Sequence, residues 1–190
     1  NNLIFLLKNL SKHKIKIISS GGTFKNIKKL GYKCLEVSEY TGSKEILNGR
    51  VKTLHPKIYA GILSIRGNKS HTKDLKKNNF EKIDLVVVNF YPFEKTLEET
   101  TKHKKIIENI DIGGPTMVRA AAKNYNDITV ITNPEQYNDL IEELNKNKSK
   151  TTLKFRQKMS EIAFAETAFN AMQASNAAKK ALSLGKSVLT

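Results

Sequence analysis

Asp84-Leu85-Val86-Val87-Val88-Asn89-Phe90 is the stretch on which the fold turns. Its middle is apolar without alternation and rich in β-branched valine. A strand with one solvated face alternates polar and apolar residues, whereas a strand of a parallel sheet is covered on both faces and reads as a continuous apolar run. Parallel neighbours need crossover connections, usually helical, and the flanking sequence supplies them. Upstream, residues 3–10 carry a helical apolar face and Ile15-Lys16-Ile17-Ile18 follows as a β-branched strand. Gly21-Gly22-Thr23 opens a helix running to about Leu30, with Gly31 as its stop. Cys34-Leu35-Glu36-Val37 is a second strand, and residues 41–56 are loop-rich around a short helix near 44–47. Downstream, residues 94–108 read as largely helical, and Gly113-Gly114-Pro115 precedes a helix reaching Lys123. Ile128-Thr129-Val130-Ile131-Thr132 is another strand, and Pro134 starts another helix. This order predicts an α/β domain whose parallel sheet is flanked by helices.

The texture changes after Lys146. Asn147-Lys148-Ser149-Lys150 is a polar break, and residues 153–184 carry no strand signal. Ala163, Phe164, Ala168, Phe169 and Met172 mark one helical stripe, closed by Gly185, which reads as core packing or an interdomain connector. The chain therefore divides into an α/β domain over residues 1–146 and a helical extension over residues 147–190.

Composition bounds the class. A length of 190 residues suits one domain, and 39% hydrophobic with 27% charged residues suits a globular chain and not a disordered one. No apolar run approaches a membrane-spanning helix. The short run at residues 3–7 has neither a basic segment before it nor a small-residue cleavage site after it, so it reads as a helix face and not a signal. Cys34 is the one cysteine, which removes an internal disulfide and a Cys-based zinc site and makes a cytoplasmic location the default. The chain opens at Asn1 and not at methionine, which suggests a piece of a longer product. The net charge of +15 raises nucleic-acid binding. Against it, only four of the 33 basic residues are arginine (Arg50, Arg66, Arg119 and Arg156), the residue that base reading and bidentate phosphate contacts favour. The lysines are also spread along the chain among many asparagines, as solvated faces are. No nucleic-acid partner is expected.

Four stretches could carry chemistry. Ser19-Ser20-Gly21-Gly22-Thr23 lies between a strand and a helix, where bare backbone and free N–H groups suit an anion; a plain turn has the same pattern. In Gly49-Arg50-Val51-Lys52-Thr53-Leu54-His55-Pro56, Arg50 and Lys52 alternate along an extended segment and can point the same way, with Thr53 beside them as part of a phosphate clamp. A solvated loop is the alternative, and His55 before Pro56 is read as structural. Asn89-Phe90-Tyr91-Pro92 ends the clearest strand, where open α/β sheets bind ligands; Asn89 and Tyr91 are placed to touch substrate, though Tyr91 also suits rim packing. In Ile110-Asp111-Ile112-Gly113-Gly114-Pro115, glycines permit close approach and Pro115 fixes the first helical turn. Lys123 ends that helix beside Ala120, Ala121 and Ala122. Small neighbours can desolvate an ammonium and prepare it for proton transfer, and a lysine at a helix C-terminus is also ordinary capping.

Taken in order, Ser-Gly-Gly-Thr at 20–23, Gly-Arg-Val-Lys-Thr-Leu-His-Pro at 49–56, Val-Asn-Phe-Tyr-Pro-Phe at 88–93, and Ile-Asp-Ile-Gly-Gly-Pro-Thr with Arg-Ala-Ala-Ala-Lys-Asn at 110–124 resemble the IMP cyclohydrolase domain family. The resemblance covers nearly the whole chain. It implies a methylglyoxal-synthase-like α/β fold and ring closure of 5-formamidoimidazole-4-carboxamide ribotide to inosine monophosphate with loss of water. It implies Lys123 as proton donor and acceptor, with Asp111, Tyr91 and Lys52 also catalytic. It implies Ser20, Gly21, Gly22, Thr23, Arg50, Val51, Thr53, Val88, Asn89 and Ile112 as ribotide contacts. It implies no metal and no cofactor for the cyclase, no membrane, and a homodimer in the full-length protein; a folate formyl donor would serve a second, formyltransferase half. The family begins with a strand and a nucleotide-touching loop that this chain is expected to lack, along with the formyltransferase half. A regulatory nucleotide-binding module of the same fold is the other reading; it shares the phosphate loops and does not need Lys123 or Asp111.

Overall fold

A computed structural model describes residues 2–90 and 103–186. Helix α1 (Asn2–Lys12) turns Leu6, Leu7 and Leu10 inward, with Leu10 one helical turn beyond the first two. The expected strand at 15–18 is mostly approach: only β1 (Ile18–Ser19) pairs. Helix α2 (Gly21–Lys29) starts and stops where its glycines predict, and it carries the chain over to β2 (Leu35–Glu36). These two strands run parallel, with Ile18 opposite Leu35 and Ser19 opposite Glu36. The second is short because Val37 already enters α3 (Val37–Thr41).

The helix expected near 44–47 is absent. Ile46 instead bridges Val51 in antiparallel register around a tight turn at Leu47–Gly49. Leu47, Asn48 and Gly49 all have positive φ (52°, 53° and 87°). Asn-Gly is the dipeptide that favours such a turn, and it wins over weak helix propensity here. Helix α4 (Pro56–Leu63) follows, with Pro56 in its first turn and His55 as its cap: His55 Nδ1 accepts from Lys57 N at 3.1 Å. His55 is structural, as the sequence implies. Helix α5 (Lys69–Lys77) is capped by the Asn68 side chain.

The decisive run forms β3 (Leu85–Val87), with helices α6 (His103–Glu108) and α7 (Gly113–Lys123) before β4 (Thr129–Ile131). The pairing is parallel, Leu85 to Thr129 through Val87 to Ile131. Thr129 N to Asp84 O and Val88 N to Ile131 O, both 3.0 Å, extend it. Of the helix expected over 94–108 only α6 falls within the described residues; 94–102 lie outside them. A short turn at Pro134–Gln136, helix α8 (Tyr137–Lys146) and the long α9 (Leu153–Lys186) complete the chain. The result is the expected α/β architecture, with parallel strands in two pairs flanked by helices.

The centre of the core is β4, buried at all three residues. Helix α7 lays Val118, Ala121 and Ala122 against it, each fully buried. Alanine brings helix backbones close, and Ser160 Oγ of α9 donates to Ala122 O at 2.8 Å. Asn124, also buried, donates to the carbonyls of Ile62 and Ser64 and ties the end of α7 to α4. The inward face of α9 is accordingly made of Met159, Ser160, Ala163, Thr167 and Ala177. The stripe marked in the sequence is therefore not the packed one. Ala163 alone is buried, while Phe164, Phe169 and Met172 are 38, 49 and 53% exposed. Ser160, Ala163 and Thr167 are the small residues of that face, and Phe164, Phe169 and Met172 stay outside it. Among the described residues no helix is long and apolar enough to cross a membrane.

Candidate functional site

Lys52 and Thr53, adjacent in sequence, touch the first residues of two different helices. Lys52 Nζ stands 3.4 Å from the point a Cβ on Gly21 would occupy, at the start of α2. Thr53 Oγ1 stands 2.7 Å from the corresponding point on Gly113, at the start of α7. Each helix start offers unpaired N–H groups and a partial positive charge. Two such ends, a half-buried lysine and a threonine hydroxyl thus converge, an arrangement suited to a phosphate. The glycines are required sterically: Gly21 and Gly49 have φ of 55° and 87°, and a Cβ on Gly49 would overlap both Glu45 and Lys52.

The third and fourth stretches join on the other side. Gly114 N donates to Asp111 Oδ1 at 3.1 Å, and Val88 Cγ1 lies 3.0 Å from where a Gly114 Cβ would be. The end of β3, the carboxylate of Asp111 and the start of α7 are thus neighbours. Ile112 is exposed at the N-cap position of α7. Ser20 holds the N-cap of α2 without spending its side chain on a capping bond, and Gly22 and Thr23 are exposed in that first turn. Val51 is half-buried in the bridge to Ile46. Asn89 is exposed, and its Nδ2 donates to the Tyr137 hydroxyl at 2.8 Å. Tyr91 lies outside the described residues.

Two expectations need correction. Arg50 and Lys52 do not share a direction, because Arg50 is helical in backbone (φ −65°, ψ −25°) and breaks the extended segment. Arg50 donates through Nε (3.0 Å) and Nη2 (2.7 Å) to the two oxygens of Glu108, whereas Lys52 Nζ pairs with Glu45 Oε1 at 3.2 Å. The Arg50 hydrogen bonds hold the Glu108 carboxyl below its ordinary range and raise the guanidinium in turn. The second correction concerns Lys123. Its alanine neighbours face inward and Lys123 faces out, exposed, so they do not desolvate it. It also ends α7, about 15 Å along the helix axis from Gly113.

Residues that the sequence reading missed stand at the same place. Glu45 is one: the Ile46–Val51 bridge sets it opposite Lys52 across the Asn48-Gly49 turn, a register the hairpin signal itself contains. Tyr59 of α4 is another. Its hydroxyl is buried beside Thr116, whose Oγ1 donates to Ile112 O at 2.7 Å. Burial pushes the Tyr59 phenol up; Thr116 pulls it back and the Asp111 charge adds to the rise. Glu108 has no local signal, because its partner Arg50 is remote in sequence. Among the described residues no group of three or more His, Cys, Asp or Glu side chains is arranged to hold a metal ion.

Parallel strands with helices on their flanks, and glycine-bearing loops gathered at two helix starts, define an α/β domain of one recognisable class. Residues 2–116 match the family model described as the MGS-like domain, and the chain belongs to that family. Residues 121–186 match the model described as the AICARFT/IMPCHase bienzyme. Among curated relatives, the bifunctional purine biosynthesis protein PurH of Bradyrhizobium diazoefficiens is 48% identical over 166 residues, covering 87% of this chain and 31% of that protein. PurH of Persephonella marina is 49% identical over 162 residues, covering 85% of this chain and 31% of that protein. The chain thus spans under a third of the length of these relatives. A solved structure titled "Crystal structure of ForH" shares the fold at a TM-score of 0.80 and 24% identity, covering 93% of this chain and 92% of that one.

Proposed function

We propose that this chain is an IMP cyclohydrolase domain of purine biosynthesis, closing 5-formamidoimidazole-4-carboxamide ribotide to inosine monophosphate. One observation carries the reading: Lys52 and Thr53 meet the starts of α2 and α7 in a chain nearly half identical to bifunctional purine biosynthesis proteins. The carboxamide nitrogen adds to the formyl carbon and gives up a proton while the formyl oxygen takes one; the hydroxyl so formed then departs as water with the formamido N–H proton, leaving the ring C=N bond. The reaction is intramolecular, so holding the reactive conformer supplies much of the acceleration. It is also redox-neutral, and we assign it no cofactor. The ribotide phosphate sits at Ser20, Gly21, Gly22 and Thr23 with Arg50, Lys52 and Thr53. Val51, Val88, Asn89 and Ile112 line the nucleoside. Asp111, Tyr91 and Lys52 flank the reacting amide and formyl groups, and Lys123 takes the proton-transfer role that the family resemblance assigns it. The helix-start geometry supports the phosphate assignments; that of Lys123 rests on the resemblance.

The partner is a small ribotide and not a nucleic acid. In support, Arg66 is committed to Asp84 and Ile83 O, Arg156 to the carbonyls of Tyr125 and Asn126, and Arg119 lies over the Phe164 ring. The exposed Phe164, Phe169 and Met172 support a homodimer of the full-length protein. We place that protein in the cytoplasm and give a second half, which would take a folate formyl donor, the transformylase step. Cyclisation of the formylated ribotide, followed by ultraviolet absorbance for the chain and its Asp111→Asn variant, tests the activity. Turnover that falls with Asp111→Asn supports the cyclase. Nucleotide binding without turnover would assign a regulatory module instead.

A further inference from the structure

Both cations of the proposed phosphate clamp already hold a carboxylate. Glu45 sits on Lys52 over the bare face of Gly49, and Glu108 grips Arg50 with both oxygens. Neither acid belongs to the loops assigned to the ribotide, and each reaches the clamp from a different element, Glu45 across the hairpin turn and Glu108 from the end of α6. The Arg50–Glu108 pair is about as open to water on one side as on the other, with 61 and 59% of the two side chains exposed. A pair that exposed holds its partners weakly and opens at little cost. The Lys52–Glu45 pair is less exposed, at 31 and 44%.

We infer that Glu45 and Glu108 are resident counter-ions of the clamp, which a phosphate dianion displaces, and that they select ligands by charge. This rests on the phosphate reading of the loops. An incoming carboxylate or other monoanion would exchange like for like and gain almost nothing. A phosphate monoester carries close to two charges above its second ionisation, about pH 6, and gains more than a monoanion does on each cation it reaches. Until it arrives, each acid keeps its own cation oriented and neutralised. They are positioning and specificity-determining residues, acting through Arg50 and Lys52 and not on the reacting atoms.

The test is calorimetric binding of inosine monophosphate, inorganic phosphate and acetate to the wild type, Glu45→Gln, Glu108→Gln and the double variant. Each single variant should bind the two phosphates about two- to fivefold more tightly, and the double about tenfold. Acetate binding should rise by a larger factor, narrowing the preference for phosphate. In turnover, KM should fall with kcat held, and Glu108→Asp should return binding toward wild type. A gain in affinity is an outcome that misfolding does not produce. Weaker or unchanged phosphate binding in the Gln variants overturns the inference. Arg50→Ala and Lys52→Ala separate the two levels: if neither weakens phosphate binding, the clamp itself is wrong. If both weaken it while the Gln variants do not tighten it, only the counter-ion role is lost.

Discussion

Asn89, at the exposed end of β3, donates its Nδ2 to the hydroxyl of Tyr137, the first residue of α8, at 2.8 Å. Tyr137 is buried with its phenol pushed up by that burial, and contact with Asn89 pulls it partly back. The bond therefore does two things. It satisfies a buried hydroxyl, and it fixes the rotamer of a side chain assigned to the nucleoside. Tyr137→Phe removes the acceptor and leaves an exposed amide that water can solvate. The expected cost is about 1 kcal/mol of stability, read as a lower urea midpoint at unchanged slope. Weaker ribotide binding should accompany it, since Asn89 then samples other rotamers. An unchanged midpoint would mean that water replaces the bond without loss.

Alkaline pH offers a second test. Tyr40, Tyr59 and Tyr137 are all raised above the ordinary phenol range, burial being the first cause in each case. The folded-state value exceeds the unfolded one, so the stability these groups contribute is fully present below about pH 10. It is lost as pH rises through the folded value, because the unfolded chain releases its protons first. Lysine neutralisation acts in the same window and relieves repulsion in a chain of net charge +15. The comparison must therefore be between variants. Thermal midpoints measured from pH 9 to 12 should fall less steeply for Tyr59→Phe and Tyr137→Phe than for the wild type. Parallel curves would show that the phenols ionise without penalty.

Gly49→Ala should damage fold and site together. Its φ of 87° costs a non-glycine residue about 1–2 kcal/mol, and a Cβ there would overlap Glu45 Oε1 and Lys52 Cε. The side chains give way before the backbone does, so Lys52 leaves its place beside Gly21. Monophosphate affinity should drop about tenfold or more, as for a lost charged hydrogen bond, with a smaller fall in urea midpoint. A fall in stability with binding intact would detach Lys52 from the ligand.

The same turn explains what could be read from the sequence and what could not. Residues 84–90 revealed a parallel α/β fold because a doubly covered strand leaves an unbroken apolar run. Gly31 and Pro115 marked helix ends because their backbone constraints are local. The phosphate loops were legible as stretches, yet the directions of Arg50 and Lys52 were not, since a single helical φ/ψ pair at Arg50 turned them apart. Glu108 was illegible because its partner lies 58 residues away. The stripe on α9 misled for another reason: periodicity identifies an apolar face, but the buried face is the one carrying Ser160, Ala163 and Thr167.

Lys52 and Lys123 can be told apart by what their loss leaves behind. Lys52 is half-buried between Gly21 and Gly49, paired with Glu45. Lys52→Ala removes a charge from the clamp and strands Glu45, so monophosphate binding and turnover should fall together, binding by about tenfold or more. Lys123 is exposed at the far end of α7. An exposed lysine contributes within about 0.5 kcal/mol to stability, so Lys123→Ala should fold normally and bind the nucleotide within about twofold of wild type. Its turnover is expected to be lost, and with folding and binding intact that loss is attributable to proton transfer alone. Single-turnover cyclisation beside calorimetric binding makes the comparison. If Lys123→Ala turns over at the wild-type rate, the proton passes instead through the groups gathered at the helix starts, Asp111 and Lys52, and the separation along α7 is the physical reason.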